Sequence, residues 1–240
     1  MCSLRQSPAR SIPNIMGLIA IGDIHGCAAS LDALLDEIDP SDDDHLLFVG
    51  DYIDRGPRSK GVIDRLLTLR ETYKCTFLRG NHEALMLDYL DIGAFNLWRI
   101  NGGITTMQSY ISEDGSEVVI PEAHEQFVRD TELYYETDDF FFVHAGLKAD
   151  KSIEENIEEF GEEVFLWERS HLEANDMAWE KPVVCGHTPH AEPINRDKLL
   201  MIDTGCVYHE EPGMGVLTAV RLPERTFITV QYADGTPAVQ

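Results

Sequence analysis

Two stretches share one pattern: Leu18-Ile19-Ala20-Ile21-Gly22-Asp23-Ile24-His25-Gly26, and Leu46-Leu47-Phe48-Val49-Gly50-Asp51-Tyr52-Ile53-Asp54-Arg55-Gly56. In each, a short apolar run meets a glycine and then a loop of acidic and basic side chains. Apolar runs of this length bounded by glycine read as buried strands. The pattern returns at residues 76–78 before Arg79-Gly80-Asn81-His82-Glu83, at 140–143 before His144-Ala145-Gly146, and at 182–185 before Gly186-His187-Thr188. Five strand ends thus deliver polar side chains to loops.

Working outward, residues 28–38 place Leu31, Leu34, Leu35 and Ile38 at helical spacing, and residues 61–70 do the same with Val62, Ile63, Leu66, Leu67 and Leu69. Both read as helices covering a sheet, which makes the fold class α/β. After His187, residues 199–202, 215–222 and 226–232 read as a closing set of antiparallel strands, with Pro223-Glu224-Arg225 as a turn. Residues 85–139 are the least regular, broken at Gly102-Gly103, and are expected to form a helical cap beside the loops.

A chain of 240 residues is long enough for one large core. Residues 16–240 are expected to be one domain, and the polar, unpatterned residues 1–15 a flexible tail. Lys and Arg total 19 against 43 Asp and Glu, a formal charge of -24 that repels phosphate backbones and argues against a nucleic-acid partner. No apolar run approaches the roughly 18 residues that span a bilayer. Five cysteines, an odd count without a Cys-x-x-Cys pair, argue against a disulfide framework or a thiolate zinc site and fit a reducing cytoplasm.

Asp23 and His25 are two positions apart in an extended loop, so both can reach one ion from a single strand end. Asp51 follows the next strand in the equivalent place, and its two oxygens allow it to bridge two cations. Asn81, His144 and His187 complete a six-ligand set of oxygen and nitrogen donors. Such a set suits manganese, iron or zinc and disfavours a closed structural zinc site.

The motifs Gly22-Asp23-Ile24-His25-Gly26, Gly50-Asp51-Tyr52-Ile53-Asp54-Arg55-Gly56 and Gly80-Asn81-His82-Glu83 come in the order found in phosphoprotein phosphatases, and the chain resembles that family. His144-Ala145-Gly146-Leu147 and Gly186-His187-Thr188-Pro189 resemble its later histidine motifs. The resemblance implies a calcineurin-like metallophosphoesterase fold, a central two-sheet β-sandwich flanked by helices. It implies two divalent ions, Mn2+ foremost, one held by Asp23, His25 and Asp51 and the other by Asp51, Asn81, His144 and His187. A hydroxide activated between two such ions attacks phosphorus directly. His82 resembles the family's general acid with Asp54 orienting it, and Arg55 its phosphate-binding arginine.

Trp167-Glu168-Arg169 resembles a bacterial segment that supplies a second phosphate-binding arginine, Arg169. The compact length and the Asp203-Thr204-Gly205 stretch bring the chain closer to bacterial and phage enzymes, where phosphorylated serine or threonine in proteins is the expected substrate and small phosphoesters are additional ones. Related folds hydrolyse dinucleoside polyphosphates, which is the alternative. That reading needs a second-nucleotide pocket, for which Phe95, Trp98 and Arg99 are candidates, although their spacing equally fits helix packing. Tyr208 is expected to pack on the last strands. A scaffold protein without catalysis predicts a lost ligand or a replaced His82, and none is lost.

Overall fold

The computed structural model describes residues 17–235, so the tail expected at 1–15 lies outside the described residues. The chain runs β1 (Leu18–Ile21), α1 (Ala28–Ile38), β2 (His45–Phe48), α2 (Ser59–Thr72), β3 (Lys74–Phe77), α3 (Asn81–Ile92), α4 (Phe95–Trp98), α5 (Ile104–Ser109) and α6 (Glu122–Arg129). It continues through β4 (Tyr134–Glu136), β5 (Phe141–Val143), α7 (Ile153–Glu155), α8 (Glu162–Trp167), β6 (Val183–Cys185), β7 (Ile194–Asn195), β8 (Leu199–Met201), β9 (Val216–Leu222) and β10 (Thr226–Gln231).

Period-two alternation along the buried strands builds three apolar layers. Leu18, Ala20 and Leu47 turn inward, where they meet Phe142, Val184 and Leu200 of the other sheet. Ile19, Ile21, Leu46 and Phe48 turn outward under α1 and α2, against Leu31, Leu34, Val62 and Leu66. On the far side Phe141, Val143, Val183 and Leu199 pack under Phe165 and Trp179. Each fully buried side chain of this size contributes about 1.5–3 kcal/mol. The result is the two-sheet sandwich between helical layers that the resemblance implied.

The first sheet has the order β10-β9-β1-β2-β3 and the second β4-β5-β6-β8-β7. β1, β2 and β3 are parallel, as are β5, β6 and β8, so in each sheet three strand ends point the same way. The expected closing set of antiparallel strands is corrected here. β9 and β10 are antiparallel beside β1, but β8 belongs to the second sheet and runs parallel to β6. Its apolar residues make it a central strand whose direction is set by its neighbours. Within residues 85–139, helical turns run as far as Arg129, and β4 then returns the chain to the second sheet.

Candidate active site

The loops after β1, β2, β3, β5 and β6 converge. Ile24 and His25 both donate backbone N–H groups to the Asp51 carbonyl, at 3.1 and 2.8 Å, and Gly26 N–H donates to the Tyr52 carbonyl at 2.8 Å. From the other sheet, His187 N–H donates to Asp23 Oδ2 at 2.9 Å and Gly186 N–H to the His144 carbonyl at 2.8 Å. Gly186 lies flat against the Asp23 carboxylate, where any Cβ would collide with Oδ1. Seven non-glycine residues among those described have left-handed backbone, and five of them (His25, Asp51, Asp54, Arg55 and His187) stand in these loops. Strain of this kind persists where surrounding structure enforces it and clusters at functional sites.

All six expected metal ligands are brought together and buried. Asp51 sits in the middle. Its Oδ2 is 3.4 Å from His25 Nε2 and its Oδ1 is 3.4 Å from His144 Nε2, one oxygen toward each side. His25 and His144 donate Nδ1–H to the carbonyls of Ile53 and Val49 at 2.8 and 2.9 Å, which turns each Nε2 lone pair inward. His144 Nε2 then stands 3.0 Å from Asn81 Oδ1. Both atoms are acceptors, and that approach is repulsive unless a cation lies against both. His187 Nδ1 closes the group at 2.9 Å from Asn81 Oδ1 and 3.2 Å from His144 Nε2.

Electrostatics give the same result. Burial and the nearby charges of Asp203 and Asp51 push the Asp23 carboxyl well above its ordinary value, and its Oδ1 has no hydrogen-bond partner. Burial raises Asp203 to about 7. For Asp51, burial acts upward, but His144, His82, His25 and His187 outweigh it and hold the carboxyl low. Neighbouring buried carboxyls among histidine nitrogens fit divalent cations by donor type and charge. By proximity alone the candidate groups are His25, Asp51 and His82 on one side, and Asp51, His144 and His187 on the other. Asp23 also faces this group, its Oδ1 buried without a partner, and His82 is set apart from the carbonyl-anchored His25 and His144 by a carboxylate at its Nδ1.

That carboxylate is Asp54. His82 Nδ1–H donates to Asp54 Oδ2 at 2.6 Å, and His82 Nε2 is buried and unpartnered, 3.9 Å from Asp51 Oδ2. Burial lowers the His82 pKa, but the carboxylates of Asp51 and Asp54 outweigh it and the net direction is upward. Two residues hold Asp54: Thr106, which no motif marks, and Trp98, in a role other than the base platform considered for it. Trp98 Nε1–H donates to Oδ1 and Oδ2 at 3.1 and 2.9 Å, and Thr106 Oγ1–H to Oδ1 at 2.6 Å. Glu83 supports the neighbouring loop, accepting N–H groups of Asp51, Tyr52 and Gly80 at 2.8–2.9 Å. The only early sign of Glu83 was its place in the Gly80-Asn81-His82-Glu83 motif.

Trp98 is therefore no platform for a base. It is fully buried, and Phe95 packs on it at 6.2 Å between ring centroids, while Arg99 is exposed. The second-nucleotide pocket considered for these residues is not formed there, because the indole faces the catalytic loop. Arg55 is half-buried, donates Nη1–H to His25 Nε2 at 2.6 Å and lies 5.5 Å above the Tyr208 ring. Tyr208 thus differs from expectation: it is half-exposed in a short 3-10 turn, Cys206–Tyr208, under the arginine. Arg169 is exposed, close enough for its charge to act on His187 and Asp203, and Trp167 packs edge-on to His187 at 6.0 Å.

The fold and this site define a metal-dependent phosphoesterase. The chain belongs to the calcineurin-like phosphoesterase family, whose sequence model matches residues 16–217. It is 30% identical over 235 residues to bis(5'-nucleosyl)-tetraphosphatase PrpE [asymmetrical] of Anoxybacillus flavithermus, covering 88% of this chain and 92% of that one. It is also 30% identical over 211 residues to serine/threonine-protein phosphatase 1 of Salmonella typhimurium, covering 84% and 90%. Among solved structures, a candidate diadenosine tetraphosphatase superposes with a TM-score of 0.66 at 26% identity, covering 94% of this chain and 98% of that one. A protein serine/threonine phosphatase from Saccharomyces cerevisiae shares the fold, with a TM-score of 0.62 at 18% identity, covering 93% and 82%. Among the described residues, no helix is long and apolar enough to cross a membrane.

Proposed function

We propose that this chain is a dinucleoside polyphosphate hydrolase that cleaves a tetraphosphate-bridged substrate asymmetrically. The observation that carries the reading is the 30% identity over 235 residues to a protein named as an asymmetrical bis(5'-nucleosyl)-tetraphosphatase, spanning nearly the whole of both chains. This reading displaces the protein phosphatase expected first from the sequence. That activity stays as the second reading, favoured by the 30% identity to the Salmonella serine/threonine phosphatase. The cysteine pattern fits a cytoplasmic enzyme.

Asp23, His25 and Asp51 would hold one divalent ion, and Asp51, Asn81, His144 and His187 the second. The mixed oxygen and nitrogen donors suit manganese best, with iron or zinc as alternatives. When bound, a pair of such ions lowers the pKa of water and polarises a phosphoryl group. The chain's own residues do the rest. His82, held at Nδ1 by Asp54, presents Nε2 to give a proton to the leaving oxygen. Arg55 and Arg169 supply fixed positive charge to the phosphoryl oxygens, Arg55 from the rim of the His25 loop and Arg169 from the side of His187.

The test is to deplete the protein of metal, restore manganese, and compare turnover of diadenosine tetraphosphate, a phosphothreonine peptide and p-nitrophenyl phosphate. Preferential cleavage of the dinucleotide supports the proposal, and faster turnover of the peptide overturns it in favour of the second reading. No metal-dependent turnover of any of the three would leave only a catalytically silent scaffold.

A further inference from the structure

Beside Arg55 a groove of about 430 Å³ opens between α5 and the segments after β8 and β10. Its walls include Pro57, Gln108, Val207, His209 and Tyr232, with Arg55 at the inner end. Its volume lies within the range of small-molecule sites, roughly 300–1,000 Å³. His209 and Tyr232 are stacked there, ring centroids 3.8 Å apart and planes within 12°. Tyr232 is half-buried against the core and backs His209, whose ring is exposed. None of these residues except Arg55 has a part in the chemistry described above.

We infer that this groove is a nucleoside subsite, in which the base of a dinucleotide stacks on His209 while the adjoining phosphate is held at Arg55. The inference rests on the proposed dinucleotide hydrolysis. Charge selects the occupant. Arg55 is the groove's cation, Glu210 contributes a carboxylate, and Gln108 and Ser109 are neutral hydrogen-bonding groups. A second phosphate would meet Glu210 unpaired, whereas an uncharged nucleoside offers a flat base to the ring pair and hydroxyls to the carboxylate. Arg55 joins groove and catalytic loops, so the reacting phosphorus is the one attached to that nucleoside. Water then adds its oxygen to the phosphorus next to that nucleoside. The bond from this phosphorus to the bridging oxygen breaks, and that oxygen leaves with the electron pair and takes up a proton. The products are a nucleoside monophosphate and a nucleoside triphosphate, which is asymmetrical cleavage.

The experiment compares the manganese-loaded parent, His209→Ala and His209→Phe on diadenosine tetraphosphate and p-nitrophenyl phosphate, with titration calorimetry of adenosine 5'-monophosphate. Base–aromatic stacking contributes about 1–3 kcal/mol, so His209→Ala should raise KM for the dinucleotide and weaken the monophosphate by about tenfold. Turnover of p-nitrophenyl phosphate should stay at the parent's rate, and His209→Phe should restore binding. Unchanged KM in His209→Ala, with the parent cleaving the dinucleotide, overturns the subsite and leaves the dinucleotide reading intact. A parent that turns over p-nitrophenyl phosphate but not the dinucleotide overturns both.

Discussion

Substituting Trp98 by Phe tests whether Asp54 acts on catalysis through His82. The indole N–H reaches both Asp54 oxygens, at 3.1 and 2.9 Å, and both side chains are fully buried. Hydrogen bonds to a charged group contribute about 1.5–3 kcal/mol. Thr106 and His82 keep their own bonds to the carboxylate, so Trp98→Phe should loosen the pair without dispersing it. If that energy is felt at the transition state, kcat should fall about 10- to 100-fold. The fall should depend on the leaving group. For a substrate with an alkoxide leaving group the proton from His82 is needed, whereas p-nitrophenolate departs without one and should lose little. His82→Asn should show the same selectivity with a larger loss, about 10²- to 10⁴-fold. The assay is kcat for a phosphothreonine peptide, whose leaving group is an alkoxide, against p-nitrophenyl phosphate, with metal content measured on the same samples. An equal fall on both kinds of substrate, or a loss of bound metal, would refute the role given to Asp54 and Trp98.

Asp51→Asn removes the charge between the two ligand groups, and elemental analysis should find metal lost from both rather than one; retention of a single full equivalent would argue against a bridge. Gly186→Ala drives a Cβ into Asp23 Oδ1 and to 3.0 Å from Val49 Cγ2, and should lower stability by about 1–3 kcal/mol and weaken metal binding. An unchanged urea midpoint would show that the loop yields without resistance. His171 is fully buried with neither ring nitrogen bonded, and burial lowers its pKa from 6.5 to about 4. The unfolded chain therefore takes up this proton first, and about 3 kcal/mol of stability should vanish as pH falls from 6.5 to 4. His171→Phe should flatten that part of the urea-midpoint profile, and an identical slope in parent and variant would exclude the group.

Much of the candidate site could be read in the sequence because its proposed ligands lie in contiguous glycine-flanked motifs, each directly after an apolar run. The register of a strand end carries Asp23, Asp51, His144 and His187 to one edge, whatever surrounds them. What could not be read depends on contacts between distant segments. Trp98 and Thr106 reach Asp54 across 44 and 52 positions of chain, and nothing local distinguishes them from helix core residues. The edge strands Tyr134–Glu136 and Ile194–Asn195 are too short to show alternation. The direction of Leu199–Met201 follows from its partner and not from its own residues. Tyr208 was misplaced because a half-exposed tyrosine under an arginine has the same composition as a buried one.

The left-handed residues explain why these motifs tolerate so little freedom. A non-glycine residue in this region carries about 1–3 kcal/mol of strain, and His25, Asp51, Asp54, Arg55 and His187 all stand there. The loops hold one another in that shape. The Asp51 carbonyl takes two N–H groups from the His25 loop, Glu83 takes the N–H of Asp51, and Asp23 takes that of His187. Buried carboxyls add to the strain, since Asp23 has both Asp203 and Asp51 beside it. A cation against these carboxylates relieves the repulsion and gains ligands that the backbone has already aimed. The sandwich core holds the strained loops together, and the loops in turn gather oxygen and nitrogen donors of the kind that divalent ions take.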